Sequence, residues 1–179
     1  SQLTSGGLIK KIGNSNGGQP NRGISYLISE QPLEKLWIAC QDEHLLSESN
    51  TQYLLVEDLG KDRKSWYGFM DVPWPFDDRH WVTTSWNNHQ MAEQTKNQMW
   101  EHPWKLENSW RSYEPTISLG IADGILSVDK GKVENAIYLP ESEGAFAMIR
   151  LENSTLIIYH ATANVGGYIP TDLMVTFLL

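Results

Sequence analysis

Apolar positions along the chain recur mostly at every second residue. Between residues 23 and 29, Ile24, Tyr26 and Ile28 alternate with other positions, the period of a strand with one buried face. Strand-forming runs are also predicted at 8–12, 51–59, 64–72, 80–86, 133–139, 145–151 and 155–163. Gly60-Lys61-Asp62-Arg63 joins two of them as a hairpin, and polar turns at 140–144 and 152–154 join the last three. Helical spacing is rarer. Ser29 is a predicted N-cap, Pro32 stands in the first turn, and Leu33, Leu36, Trp37 and Cys40 follow at helical intervals. His44-Leu45-Leu46 suggests a second short piece. Pro170 is placed to open a closing helix with Leu173, Met174 and Phe177 on its apolar face, cut short at Leu179. Residues 87–132 are the least regular. Their polar first part reads as an extended strand or hairpin arm, and Trp100, Trp104 and Trp110 mark a tryptophan-rich excursion, expected to be an insertion or an elaborated hairpin. The order predicts a single α+β domain over 1–179, in which an antiparallel sheet needs the closing helix to cover one face.

One stretch departs from this alternation. In residues 71–81, Pro73 and Pro75 each fix φ and remove a backbone donor, so the chain must leave the sheet, turn and return. Trp74 and Phe76 are expected to pack down onto the domain, because large apolar side chains gain roughly 1.5–3 kcal/mol on burial. Asp77 and Asp78 beside Arg79 are expected to form a charged rim with an ion pair.

Composition narrows the function. The 179 residues carry 14 Lys and Arg against 22 Asp and Glu, a net charge of −8. That balance gives no basic footprint for nucleic acid phosphates or anionic membranes. The one cysteine, Cys40, excludes an internal disulfide and reads as a small packed residue. No run approaches the ~20 apolar residues of a membrane span. Eight tryptophans suit the lining of an apolar cavity as well as a core. The five histidines show no metal-ligand spacing. No phosphate loop, nucleophile elbow or paired-carboxylate signature is present, so no cofactor or metal is expected.

Two stretches at opposite ends of the strand series then coincide with one pattern. Pro73-Trp74-Pro75-Phe76-Asp77-Asp78-Arg79-His80-Trp81-Val82 resembles the proline-aromatic turn and following strand of START (StAR-related lipid-transfer) domains. Residues 155–170, with Gly166-Gly167-Tyr168-Ile169-Pro170, resemble their last strand and the start of their closing helix. His80 stands where that pattern carries an acid, and Asn164-Val165 where it carries Asp-Pro. The resemblance runs from about residue 8 to the end, apart from roughly 87–132. It implies a helix-grip fold, a curved antiparallel sheet wrapped around the C-terminal helix with an internal hydrophobic cavity.

The same resemblance implies a lining. If Thr162 faces inward as its counterpart does in ceramide-binding members, Ile158 and His160 share its face, joined by Trp66 and Met70 from one strand and Trp81, Thr83 and Ser85 from the next. Sterol-type members carry an acid and an arginine where this chain has Trp66 and Ser85, so the cavity is expected to lack that ion pair. The implied function is binding, with possible transfer, of a lipid or other hydrophobic small molecule by a monomer, without chemistry and with at most transient membrane contact. An opening without Met fits a removed leader or a trimmed chain, and the resemblance favours export to a bacterial periplasm. Two alternatives stay open: a cyclase or dehydratase using His160, and a protein-interaction module docking through Trp100, Trp104 and Trp110.

Overall fold

The computed structural model of the protein describes residues 8–13, 21–41 and 50–167. In chain order the elements are β1 (Ile9–Gly13), β2 (Asn21–Ser29), α1 (Leu33–Cys40), β3 (Thr51–Gly60), β4 (Arg63–Met70), β5 (Arg79–Trp86), α2 (His89–Gln94), β6 (Met99–Leu106), α3 (Glu114–Ala122), α4 (Lys130–Asn135), β7 (Ile137–Tyr138), β8 (Glu141–Arg150) and β9 (Thr155–Asn164). A single 3-10 turn, Arg111–Tyr113, leads into α3. The strands form one sheet in the order β1-β2-β9-β8-β6-β5-β4-β3, antiparallel throughout, with the two-residue β7 pairing parallel to β5. The segments predicted at His44-Leu45-Leu46 and after Pro170 lie outside the described residues.

Most predicted strands are present, with three differences in the second half of the chain. Residues 99–106 are strand β6, set between β5 and β8 inside the sheet. Pro103 is tolerated there because the pairing to β5 runs only from Leu106 to Trp104 and ends beside it. The polar stretch before β6 contains the one-turn helix α2, capped by Asn88 Oδ1 accepting from the Met91 amide at 3.1 Å. The strand expected over 133–139 is mostly helix. Asp129 caps α4 by accepting from the Lys132 amide at 2.9 Å, which commits Val133 to the helix and leaves only Ile137 and Tyr138 extended. Ser29 does not cap α1; its hydroxyl accepts from Gln31 and the cap position is Pro32.

Residues paired across a ladder share a face, so the register divides the sheet into two sides. On one side, Leu54, Tyr67, Phe69 and Val82 pack with Trp110, Ile117, Leu126, Val128 and Val133 into a closed core beneath α3 and α4. On the other side stand Trp66, Gly68, Met70, Trp81, Thr83 and Ser85, continued across β6, β8 and β9 by Trp100, His102, Trp104, Phe146, Met148, Tyr159 and Ala161. Helix α1 belongs to this second side, its Trp37 ring lying edge-on to Trp100 at 5.2 Å and to His102 at 6.0 Å.

The proline turn sits at the opposite end from α1 and differs from expectation in two ways. Trp74 does not pack down: it is 92% exposed, whereas Phe76 packs with Met70, Val72, Trp81, Leu139 and Val165. Arg79 makes no side-chain ion pair with Asp77 or Asp78 but is buried, 1% exposed, among backbone oxygens. Its Nε donates to the Val165 carbonyl at 2.7 Å, its Nη2 to the Gly166 carbonyl at 2.9 Å, and its Nη1 to the carbonyls of Asp77 and Asp78. Asp78 instead accepts from the Val72 amide at 3.0 Å, closing the turn. The two stretches of sequence that carry the resemblance are thus bonded to each other through one guanidinium.

Candidate functional site

The α1 side of the sheet is the candidate site, and aromatic rings dominate it. Trp104 stacks on Tyr159 with centroids 5.4 Å apart and planes 21° from parallel, and Phe146 closes the trio at 4.8 Å from Tyr159. Tyr53 lies edge-on to Trp81 at 6.0 Å. Two glycines make room for these rings: a Cβ on Gly144 would stand 2.4 Å from the Trp104 ring and one on Gly68 would stand 2.2 Å from the Trp81 indole. Bulk at two positions is therefore matched by its absence on the neighbouring strand.

Five of the eight expected lining residues come together on this side: Trp66, Met70, Trp81, Thr83 and Ser85, all buried. The other three do not. Thr162 pairs with Glu143, His160 with Ala145 and Ile158 with Ala147, positions on the side away from α1, and His160 is exposed. On β9 the residues facing α1 are Ile157, Tyr159 and Ala161. A one-residue error of register reverses every side chain of a strand, and the assumed orientation of Thr162 introduced that error. The site does have one imidazole, but it is His102.

Reasoning from sequence missed His102, Trp100, Trp104, Phe146 and Tyr159. A signal for the first three was present: Trp100, His102 and Trp104 are spaced at i, i+2, i+4, the alternation of a strand. Trp110 is not part of this set. It is 8% exposed on the opposite side of the sheet, with its ring 5.1 Å from that of His80 and the Arg111 guanidinium 4.0 Å from its face. The three tryptophans therefore form no common docking patch.

His102 is held by a polarised chain of hydrogen bonds. Gln41 Nε2 donates to the Trp37 carbonyl at 3.0 Å, so Gln41 Oε1 is the acceptor for Asn87 Nδ2 at 2.9 Å. Asn87 Oδ1 is then left to accept from His102 Nδ1 at 2.8 Å. A backbone carbonyl cannot exchange roles, so the chain fixes the proton of the neutral ring on Nδ1 and the lone pair on Nε2. Burial holds the ring neutral, pushing its pKa down to about 4, with Lys64 lowering it further and Asp62 opposing. Two residues away on the same face of β6, Trp100 Nε1 is buried with no hydrogen-bond partner among the described residues. Among the described residues no group of three or more His, Cys, Asp or Glu side chains converges to hold a metal.

Comparison with known proteins identifies this architecture. No family model and no curated protein matches the sequence. Among solved structures, the STAR-related lipid transfer protein of Xanthomonas axonopodis superposes with a TM-score of 0.63 at 13% identity, over 93% of this chain and 81% of that one. The lipid transfer and protein localization domain of human StarD13 gives 0.62 at 9% identity, over 95% and 76%. The Zhui aromatase/cyclase of Streptomyces gives 0.52 at 8% identity, over 83% and 70%. The chain has the START-like helix-grip fold, an α+β architecture that carries both a lipid-transfer protein and an enzyme.

Proposed function

We propose that this chain, as a single monomeric domain, binds a lipid or similar hydrophobic small molecule against the α1 side of its sheet and carries it without changing it chemically. The observation that supports this most directly is the lining: Trp66, Trp81, Trp100, Trp104, Phe146 and Tyr159 share one side of the sheet with few polar groups, chiefly Thr83, Ser85 and His102. An apolar wall with sparse polar anchors is the composition of small-molecule sites. The fold adds support, since structures similar to it are named as lipid transfer proteins. Trp74 supports transient membrane contact, because an exposed indole on a turn between two prolines is suited to the water-lipid boundary.

Native mass spectrometry of the chain purified from its host tests the reading. A bound apolar molecule, or uptake of fatty acid, phospholipid or sterol-like probes into the emptied protein, is the expected result; no uptake of any of them overturns it. His160, the residue named for the enzymatic alternative, is exposed and faces away from the α1 side of the sheet.

A further inference from the structure

On the α1 side, two residues apart on one face of β6, stand a donor and an acceptor for which no hydrogen-bond partner is found among the described residues. Trp100 Nε1–H is buried and has no hydrogen-bond partner among the described residues. Two residues along the same strand, His102 Nε2 carries a lone pair whose direction is fixed by the chain from the Trp37 carbonyl through Gln41 and Asn87, and among the described residues it has no hydrogen-bond partner. Both rings lie edge-on to Trp37, which covers them from α1. Most buried polar atoms in proteins are hydrogen-bonded, so an unused donor on the same strand face as a prearranged acceptor marks a place for a group from outside.

The complement of one donor and one acceptor is a hydroxyl, which accepts through its oxygen and donates its own hydrogen. We propose that Trp100 and His102 anchor the terminal hydroxyl of an otherwise apolar ligand, with Trp100 Nε1–H donating to the ligand oxygen and His102 Nε2 accepting the ligand O–H beneath Trp37. The proposal rests on the hydrophobic-ligand reading above and narrows it to uncharged alcohols. An ionised carboxylate or a phosphate finds one N–H but meets the lone pair of Nε2. A plain hydrocarbon leaves both groups unused. The charged groups that act on His102, Lys64 and Asp62, are of opposite sign and favour no net ionic partner.

The test compares 1-hexadecanol, hexadecanoate and hexadecane on the full chain at about pH 8, where the carboxylate is ionised, by displacement of a fluorescent apolar probe and by native mass spectrometry. Hexadecanol is expected to bind about tenfold tighter than either of the others, the effect of hydrogen bonds between neutral groups. Trp100→Phe keeps a ring and removes the donor; since Trp100 also lines the wall, the readout is the ratio of hexadecanol to hexadecane affinity in the same variant, which should fall about tenfold. His102→Phe should do the same by removing the acceptor. Equal binding of the three probes, or a preference for the alcohol that survives Trp100→Phe in folded protein, overturns the hydroxyl anchor while leaving the hydrophobic-ligand reading in place. No binding of any probe overturns both. If neither variant folds, the ranking of the three probes on the unaltered chain decides the matter.

Discussion

Along β4, Ser65, Tyr67 and Phe69 point to one side of the sheet and Trp66, Gly68 and Met70 to the other, and the two sides treat their polar atoms differently. Beneath α3 the polar groups are paired within the protein: Ser65 Oγ lies 2.9 Å from Thr84 Oγ1, Thr84 donates to Glu107, and the Tyr138 hydroxyl donates to the Glu107 carbonyl at 2.8 Å. Even His80, 1% exposed within a ring of Tyr67, Trp110 and Tyr138, has the Tyr67 hydroxyl near Nδ1. Beneath α1, aromatic rings are also plentiful, yet Trp100 Nε1 is buried without a partner among the described residues. A side built only to hold the fold together has reason to pair every buried polar atom, since each one left alone costs about 1–3 kcal/mol. A side built to receive a ligand gains by leaving some for it.

The contrast is broken most severely by truncating one tryptophan on each side. Trp110→Ala empties part of the core between Tyr67, Val82 and Ile117, and is expected to destabilise the protein by about 3–5 kcal/mol in denaturant unfolding while changing ligand affinity little. Trp104→Ala removes a half-buried ring stacked on Tyr159, so its larger effect should be on ligand affinity. Comparable losses of affinity in the two variants would show that the sides are not functionally distinct.

The buried histidines offer a second division, because each side holds one. Burial lowers the pKa of His80, helped by Arg111 and opposed by Glu134, and that of His102, in both cases from 6.5 to about 4. Above pH 6.5 both rings are neutral in folded and unfolded chains and carry no penalty. As pH falls from 6.5 toward 4 only the unfolded chain takes up the protons, so stability declines, on the order of 3 kcal/mol for each site, and levels off below 4. Urea unfolding at a series of pH values should show this decline, and His80→Phe and His102→Phe should each remove about half of it. A flat profile between pH 6.5 and 4 would contradict the burial of both rings.

Much of this architecture was legible in the sequence, and the failures share a cause. The hairpin over residues 60–63 announces itself by Gly60-Lys61-Asp62, which in the structure takes φ of 68°, 49° and 61°. The proline turn and Gly166-Gly167 pointed to the fold, and Arg79 joins them physically. What could not be read is which way a strand faces when both of its sides carry apolar residues. In β9, Ile157 and Tyr159 alternate with Ile158 and His160, so the period of two is visible but its phase is not. In β6, Pro103 and the charged Glu101 and Lys105 masked a strand whose α1-facing positions are Trp100, His102, Trp104 and Leu106. The lone pair of His102 on that strand is set by residues 15 or more away, Asn87 and Gln41, and no local pattern encodes it.

A milder substitution tests whether packing on the α1 side is tuned to the ligand. In Gly68→Ala the new methyl would meet the rigid Trp81 indole at 2.2 Å, whereas in Gly120→Ala, beneath α3, it would meet the mobile end of Leu54 at 2.6 Å. Overpacking of this kind destabilises by about 1–3 kcal/mol. Gly68→Ala should reach that range and weaken ligand binding as Trp81 shifts, while Gly120→Ala should cost less and leave binding unchanged. Thermal unfolding with and without a bound probe separates the two effects.

The smallest change in stability is expected at the residue most visible from outside. Trp74 is 92% exposed and makes no contribution to the core that Phe76 enters, so Trp74→Ala should alter unfolding free energy by no more than about 0.5 kcal/mol. If the turn touches membranes, the same substitution should reduce the rate at which a bound fluorescent lipid passes from neutral phosphatidylcholine vesicles to the protein, without changing equilibrium affinity. Salt should have little influence on that rate, since Asp71, Asp77 and Asp78 surround the turn and leave the indole, rather than charge, to make the contact. An unchanged transfer rate would remove the membrane role from this turn and confine the function to the α1 side of the sheet.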